Sequence, residues 1–451
     1  MKILLVDPPF QRLMGYYRFY FPLGLTYVAG VLRQSGHEVL IYDGDHDPKG
    51  FSPSMQATAQ SHNRYLSALK DETHAIWGEY LWILSQFQPD IVGISFLTPK
   101  VASALMIARL TKQFHPGITV VGGGDHVTSR PQDALGKNVD YVVCGEGEQG
   151  MATLVQQLDE TGNPPRIIHS SLIETLDVLP FPALDCLHAH TYRPLDMGLM
   201  ISARGCLWRC RFCGLYPIWG SKVRYHSVTR VIQEIIHRKE RYGTDYFSFR
   251  NGTFTDNRQR VVRLCQAFLE RQLGIGWECL TRVAQFDEPL LAHMKEAGCD
   301  RIRIGIESGS ERILKHMNKG ITLAQIRKSV EVLHRSGIPW SAYFMLGVPA
   351  ETEESIQETL ALIREIDPPF VTLARFTPLP GTPMYQEVVD AGLLNENDTD
   401  WTWAANQSLD RAFVRDMPEQ RFLELMHEAA QFVETHNERH SDHADVRLKQ
   451  G

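Results

Sequence analysis

The chain has no stretch that approaches the ~18 uninterrupted apolar residues of a membrane helix, so no membrane span is expected. It also has no excess of positive charge. Forty-six Lys and Arg stand against 53 Asp and Glu, a formal net charge of −7. That balance offers no basic footprint for nucleic acid, and no nucleic-acid partner is expected. The opening apolar run, Ile3 to Val6, stops at Asp7 before it reaches the length of a signal peptide. A cytoplasmic location follows as the expectation, and cytoplasmic cysteines are seldom structural disulfides. Nor is this the composition of a disordered chain: 43% apolar and 22% charged residues are globular values. A chain of 451 residues has room for several domains with buried cores.

The first third alternates strand-like and helix-like segments. Ile3–Val6, Val39–Tyr42, Asp90–Ser95, Thr119–Val121 and Tyr141–Val143 read as five strands, each closed by turn residues. Such alternation predicts a parallel sheet covered on both faces, a Rossmann-like, flavodoxin-like α/β domain over residues 1–160. Proline-rich segments such as Asn163-Pro164-Pro165 and Leu179-Pro180-Phe181-Pro182 mark 161–197 as a linker. Six further βα units follow within 198–390, with strands at Leu199–Ala203, Tyr246–Arg250, Gly276–Thr281, Arg301–Ile306, Ser341–Leu346 and Phe370–Arg375. Periodicity leaves open whether they form an open sheet or a partial barrel. Residues 391–451 hold Trp401 and Trp403, one amphipathic helix over Pro418–Thr435 and a polar end. The two tryptophans read either as ordinary packing or as a cap on the mouth of the second domain. His436, His440 and His443 lie in so polar a context that a solvated tail is expected rather than a metal site.

Eight cysteines are present, and their spacing carries the information. Cys144, Cys186, Cys265, Cys279 and Cys299 stand singly and read as packing residues. Cys206, Cys210 and Cys213 form C-x3-C-x2-C directly after the first strand of the second domain. Three thiolates on one loop suit a four-iron cluster with one open iron. A zinc site is normally closed by a fourth ligand, and no Cys or His stands at a fitting offset.

The segment Arg204-Gly205-Cys206…Cys210…Cys213-Gly214 resembles the signature loop of the radical S-adenosylmethionine (SAM) superfamily. Further landmarks come in the family's order: Arg250-Asn251-Gly252 after the second strand, Arg282 ending the third, Glu307-Ser308 ending the fourth and Gly347-Val348-Pro349 after the fifth. The resemblance implies a partial (βα)6 TIM-type barrel. It also implies a [4Fe-4S] cluster held by Cys206, Cys210 and Cys213, whose open iron binds SAM, and reductive cleavage of SAM to a 5′-deoxyadenosyl radical. Phe212, Gly214, Arg250, Asn251, Arg282, Glu307, Ser308, Gly347 and Pro349 are the implied SAM contacts. The family often carries acidic residues where Arg250-Asn251-Gly252 stands here.

The domain in front resembles the cobalamin-binding (B12-binding) domain of B12-dependent radical SAM enzymes. The matching segments are Phe21-Pro22-Leu23-Gly24, Val92–Ser95 with Thr98, Gly122-Gly123-Gly124-Asp125-His126 and Gly145-Glu146-Gly147-Glu148. The implied cobalamin contacts are Pro8, Leu23, Gly24, Ser95, Thr98, Gly122, Gly123, Gly124, His126, Gly145, Glu146, Gly147 and Glu148. The loop after the first strand, Asp7-Pro8-Pro9-Phe10, lacks the histidine of classical cobalamin carriers. Asp43-Gly44-Asp45-His46-Asp47-Pro48-Lys49-Gly50 matches their motif only superficially, so no histidine ligation of cobalt through it is expected. The aromatic run Tyr16, Tyr17, Phe19, Tyr20 and Phe21 reads as core packing or as the lining of a cofactor cleft.

The family implies hydrogen abstraction and cobalamin-mediated methyl transfer to an unactivated carbon of a small-molecule or lipid substrate. Oxidative cyclisation or ring rearrangement of a tetrapyrrole-like substrate is the alternative, and a non-catalytic Fe–S or corrinoid carrier a third. An external electron donor of the flavodoxin or ferredoxin type is the implied partner.

Overall fold

The computed structural model describes residues 1–16, 20–47, 55–188, 192–398, 400–404 and 411–440, with the side chains of 55–60 set aside. Tyr17, Phe19, Pro48, Lys49, Gly50 and His443 fall outside them. The first sheet comprises β1 (Lys2–Asp7), β2 (Glu38–Asp43), β3 (Ile91–Ser95), β4 (Thr119–Gly123), β5 (Tyr141–Cys144) and β6 (Ile167–His169), all parallel, in the order β2-β1-β3-β4-β5-β6. β1 is buried from Ile3 onward because helices cover both faces, which is why its sequence is a continuous apolar run. Those helices are α1 (Leu23–Gln34), α2 (Met55–Lys70), α3 (Ala75–Phe87), α4 (Val101–Phe114), the short α5 (Asp125–Ser129) and α6 (Gly147–Thr161). The strand order reverses between β1 and β3, so a crevice opens at the carboxyl ends of these strands. One strand was not expected. β6 lies inside the supposed linker, its three residues paired to β5 from Val142 to Cys144.

The second sheet runs β7 (Leu199–Met200), β10 (Tyr246–Phe249), β11 (Gly276–Arg282), β12 (Cys299–Glu307), β13 (Trp340–Leu346) and β14 (Val371–Arg375) in unbroken parallel order. Between its first two strands a small hairpin, β8 (Ala203–Arg204) with β9 (Arg224–Tyr225), closes the cysteine loop at its base. The covering helices are α7 (Leu215–Trp219), α8 (Val228–Tyr242), α9 (Arg258–Glu270), α10 (Glu288–Glu296), α11 (Glu311–His316), α12 (Leu323–Ser336), α13 (Glu353–Ile366) and α14 (Pro383–Asp390). Local signals set their ends. Ser227 and Thr322 accept the backbone N–H groups of Arg230 and Gln325, while Gly243 and Gly337 end α8 and α12 in the left-handed conformation. Trp277, fully buried, donates its indole N–H to Ala297 O at 2.8 Å and anchors the sheet to the turn after α10.

The half-barrel is open, and α15 (Glu419–Arg439) covers its free edge. Asn437 accepts the Val371 N–H at 2.8 Å and donates to Val371 O at 2.9 Å, pairing with the exposed side of β14. The helix runs one turn beyond the expected end at Thr435. His436 is therefore buried on it at 1% exposure and is not part of a solvated tail. Trp401 is a packing residue rather than a cap. It packs against Trp403, Tyr385 and His126, and donates its indole N–H to Asp133 of the first domain at 2.9 Å. One continuous apolar core thus joins α3 and α4 of the first domain to Phe376, Met384 and Trp401 of the second. Among the described residues no helix is long and apolar enough to cross a membrane.

Candidate functional site

Two cavities meet where the carboxyl ends of both sheets face each other. The first, about 510 Å³, lies between the domains. Its first-domain wall is formed by Leu23 and Gly24 of α1, Ser95, Gly123, Gly124 and the segment Gly145–Glu148. The second domain adds Ile201, Arg204, Ile218, Trp219 and Arg250. Backbone rather than side chain lines much of the first-domain wall. Gly145 has φ +93°, and a Cβ there would stand 2.6 Å from Ser170 O, so the turn requires glycine. A flat macrocycle with a nucleotide tail needs such a smooth, backbone-lined strand edge, and the apolar floor of Leu5, Val121, Val143 and Met151 supports the same use.

Several expected contacts lie elsewhere. His126 is buried behind the wall, within 3.2 Å of Thr98 Oγ1 and 3.1 Å of Asp133, so both His126 and Thr98 serve the packing of Trp401. Gly122 backs onto the Phe96 ring, and Pro8 is buried off the cavity. Among the described residues no histidine lines the cavity. His46 stacks on Tyr192 at 3.9 Å, and burial pushes its pKa down to about 4. Its neighbour Asp45 accepts the Phe10 N–H at 2.6 Å and pairs with Lys100 at 2.7 Å, so Asp45 ties down the loop after β1. Tyr20 and Phe21 line the cavity, whereas Tyr16 is core. Sequence reasoning gave no role to Asp125, which opens onto the cleft. Desolvation there pushes its carboxyl up to about 6.

The two domains are joined across this cavity by buried charge. Glu146 pairs with Arg204 at 3.1 Å and Arg224 at 2.9 Å, and accepts the Ile173 N–H at 2.5 Å. Glu148 pairs with Arg204 as well. Burial would raise the Glu146 pKa, but the hydrogen bonds from Arg224 and Ile173 and the charges of both arginines outweigh it and hold the group low.

The second cavity, about 290 Å³, lies in the half-barrel. Cys206, Cys210 and Cys213 line it together with Phe212, Arg282 and Glu307. No disulfide ties the three thiols. Burial pushes Cys213 up to about 11, so metal binding must displace its proton. Arg282 points one Nη at Cys210 Sγ, 3.5 Å away, and packs over the Trp208 ring. Its Nε and other Nη are buried with no hydrogen-bond partner. Unsatisfied guanidinium donors beside three free thiols fit a metal–sulfur cluster with an anionic ligand group, because buried donors left unpaired are costly. Glu307 holds φ +73°, rare for a residue with a side chain, and pairs with Lys319 at 2.7 Å. Lys319 and Tyr343 were missed because no motif marks them, and Trp208 because it stands at one of the unspecified positions of the cysteine motif.

Other expected contacts of this cavity are placed differently. Arg250 turns away to the interdomain cavity, where it meets Tyr20 and Glu278 (3.1 Å). Asn251 accepts the backbone N–H groups of Ser202 (2.8 Å) and Ala203 (3.2 Å), fixing the approach to the cysteine loop. Ser308 bonds to Thr359 at 3.2 Å, and Gly214 starts α7 against Leu379. Gly347 lies under the Phe422 ring of α15, and neither it nor Pro349 lines the cavity. The cavities share walls: α7 contributes Leu215 to one and Ile218 and Trp219 to the other, and the loop after β10 contributes Thr253 and Arg250 in the same way.

Two tests of this geometry follow. Gly205, at φ +95°, would place a Cβ 2.3 Å from Lys222 O, across the hairpin that closes the cysteine loop. Gly205→Ala is expected to destabilise the loop by about 1–3 kcal/mol, read as lower iron uptake on anaerobic reconstitution. The second concerns Glu351, fully buried, which accepts the Gly347 N–H at 3.2 Å. Burial raises its carboxyl from the ordinary 4.5 to about 7, although the bonds from Ser355 and Gly347 act the other way. The folded chain therefore holds this proton more tightly than the unfolded chain. Stability should fall as pH rises from about 4.5 to about 7, by on the order of 3 kcal/mol, and Glu351→Gln should remove that fall in denaturant titrations.

These features define a class: two α/β domains that face a backbone-lined cleft and a cysteine-lined half-barrel toward each other. The Radical SAM superfamily model matches residues 200–363, and the B12 binding domain model matches 79–155. A methyltransferase of Pyrococcus horikoshii, itself uncharacterized, is 32% identical over 87% of this chain and 84% of its own length. The anaerobic magnesium-protoporphyrin IX monomethyl ester cyclase of Rubrivivax gelatinosus is 28% identical over 68% of this chain and 60% of its own. The structure of TsrM, a radical S-adenosylmethionine methyltransferase from Kitasatospora setae with cobalamin and [4Fe-4S] cluster bound, superposes with a TM-score of 0.66 at 17% identity, over 87% of this chain and 75% of that one. The chain belongs to the cobalamin-binding radical SAM family. As a member it is an enzyme, and its cofactors are a [4Fe-4S] cluster, SAM and cobalamin.

Proposed function

We propose that this enzyme methylates an unactivated carbon of a small-molecule, lipid or tetrapyrrole substrate. The observation that carries the reading is the shared wall between the cavities, which brings the cluster loop and the corrinoid cleft to one substrate space. In this reading Cys206, Cys210 and Cys213 hold the cluster. Arg282 offers its unpaired donors to the carboxylate of SAM, with Glu307 and Phe212 on the same wall. Leu23, Gly24, Ser95, Gly123, Gly124, Gly145, Glu146, Gly147 and Glu148 border the corrinoid.

When bound, the cluster supplies the electron that cleaves SAM and the corrinoid carries the methyl group to the substrate carbon. The chain's own part is to orient both reactants and keep water out. Tyr20, Arg250, Glu278, Arg303 and Tyr343 form a hydrogen-bonded series from the first cavity to the second: Arg303 spans Glu278 at 2.7 Å and Tyr343 at 3.4 Å. This series floors the space where substrate must lie. Electrons come from an external flavodoxin- or ferredoxin-type donor, and the setting is cytoplasmic.

The similarity to the Rubrivivax cyclase supports a second reading, oxidative cyclisation. The Pyrococcus methyltransferase is the more similar of the two, at 32% against 28% identity, which favours methylation. Turnover with SAM carrying a trideuteriomethyl group distinguishes the two. Methylation places the label in the product; an unlabelled, hydrogen-depleted product means cyclisation.

A further inference from the structure

Away from both cavities, two histidines of α15 meet a carboxylate. His436 and His440 are one helical turn apart, so their rings lie on one face, tilted by 39° with centroids 4.8 Å apart. Asp367, which ends α13 in the left-handed conformation, faces them. Its Oδ1 lies 3.1 Å from His440 Nε2 and 3.9 Å from His436 Nδ1. All three ligand atoms fall within 4.8 Å of one another.

His436 is the informative member. Its Nε2 lies 2.7 Å from Pro368 O, so that nitrogen carries the proton and donates. Nδ1 is thereby left as the acceptor nitrogen, and it is the one turned toward Asp367 and His440. A metal-binding histidine is characteristically oriented in this way, one ring nitrogen donating to a carbonyl and the other on the metal. Four ligands at Zn–N and Zn–O distances of about 2.0–2.1 Å stand about 3.3–3.4 Å apart in a tetrahedron. The two Asp367 separations, 3.1 and 3.9 Å, bracket that value, and the two imidazole nitrogens, within 4.8 Å of each other, draw together as the site closes.

We propose that Asp367, His436 and His440 form a zinc site, with water as fourth ligand. Two imidazoles and one carboxylate suit zinc better than the harder cations. The site fastens α15 to the turn between α13 and β14, where Asn437 already pairs with the free edge of the half-barrel. It does not rest on the methyltransferase reading.

The test is equilibrium dialysis of the anaerobically reconstituted enzyme against ⁶⁵Zn²⁺, with the cysteine loop filled by iron and sulfide. The protein with all three loop cysteines replaced by alanine serves as a control and should still bind zinc. One zinc per chain is expected. Asp367→Asn and His440→Ala, at side chains 60% and 25% exposed, should each fold normally and weaken binding about tenfold or more. Zinc should also raise the thermal midpoint of the wild type and leave that of both variants unchanged. Absence of zinc binding, or equal binding and equal midpoint shifts in wild type and variants, would overturn the proposal.

Discussion

Replacing any one of Cys206, Cys210 and Cys213 by alanine is expected to abolish a full four-iron cluster and lower 5′-deoxyadenosine formation from SAM about a hundredfold or more. All three thiols line the same half-barrel cavity, and no other cysteine among the described residues does. Each variant therefore leaves one iron of the cluster without its protein ligand. Stability gives the contrast. The three side chains are only partly buried, so the cluster-free variants should unfold within about 1 kcal/mol of the cluster-free wild type. Cys265→Ala, by contrast, should lower stability through the cavity it creates and leave iron content unchanged. Iron and sulfide analysis of the anaerobic proteins, beside denaturant titrations, reads both effects.

Glu146→Ala is expected to be strongly destabilising, by about 3–5 kcal/mol, because it leaves buried arginines without their carboxylate. Side-chain exposure of Glu146 is 1%, of Arg204 5% and of Arg224 1%, so little water stands by to replace the lost partner. Arg204 retains Glu148; Arg224 retains only the carbonyl of Ile173 at 2.7 Å. Glu146→Gln keeps the hydrogen-bonding shape without the charge and should fall between. The pH dependence has a definite sign. A carboxyl held below its ordinary range contributes stability above that range and loses it as pH falls. Acid unfolding of the wild type should therefore be steeper than that of Glu146→Gln. Because this group also borders the cleft, cobalamin retained through gel filtration should fall in parallel.

The strands that carry the architecture were legible because burial on both faces writes itself as an apolar run: Ile3–Val6 and Ile91–Ile94 are examples. β6 was not legible, since three residues between prolines gain their strand character from pairing with β5. The β8–β9 hairpin is two residues a side and equally silent. In the site, the cysteine spacing is a covalent fact of the sequence, so the cluster loop was readable. Side-chain direction was not. His126 and Arg250 stand on the expected loops, yet one turns into the core and the other toward the neighbouring domain. Lys319 comes from the connection after α11 rather than from a strand end, where no strand-end rule would look for it. His436 reads as tail because its neighbours are polar, but the turn that buries it is made by Asp367 and Pro368, far away in the chain.

The central claim is that the two cavities serve one reaction in which SAM is consumed both as methyl donor and as radical source. The direct measurement is quantification of SAM products after anaerobic reconstitution with iron, sulfide and hydroxocobalamin, in the presence of reductant and a candidate substrate pool. The account predicts S-adenosylhomocysteine and 5′-deoxyadenosine formed together. Neither product, with cluster and cobalamin fully loaded, would contradict it.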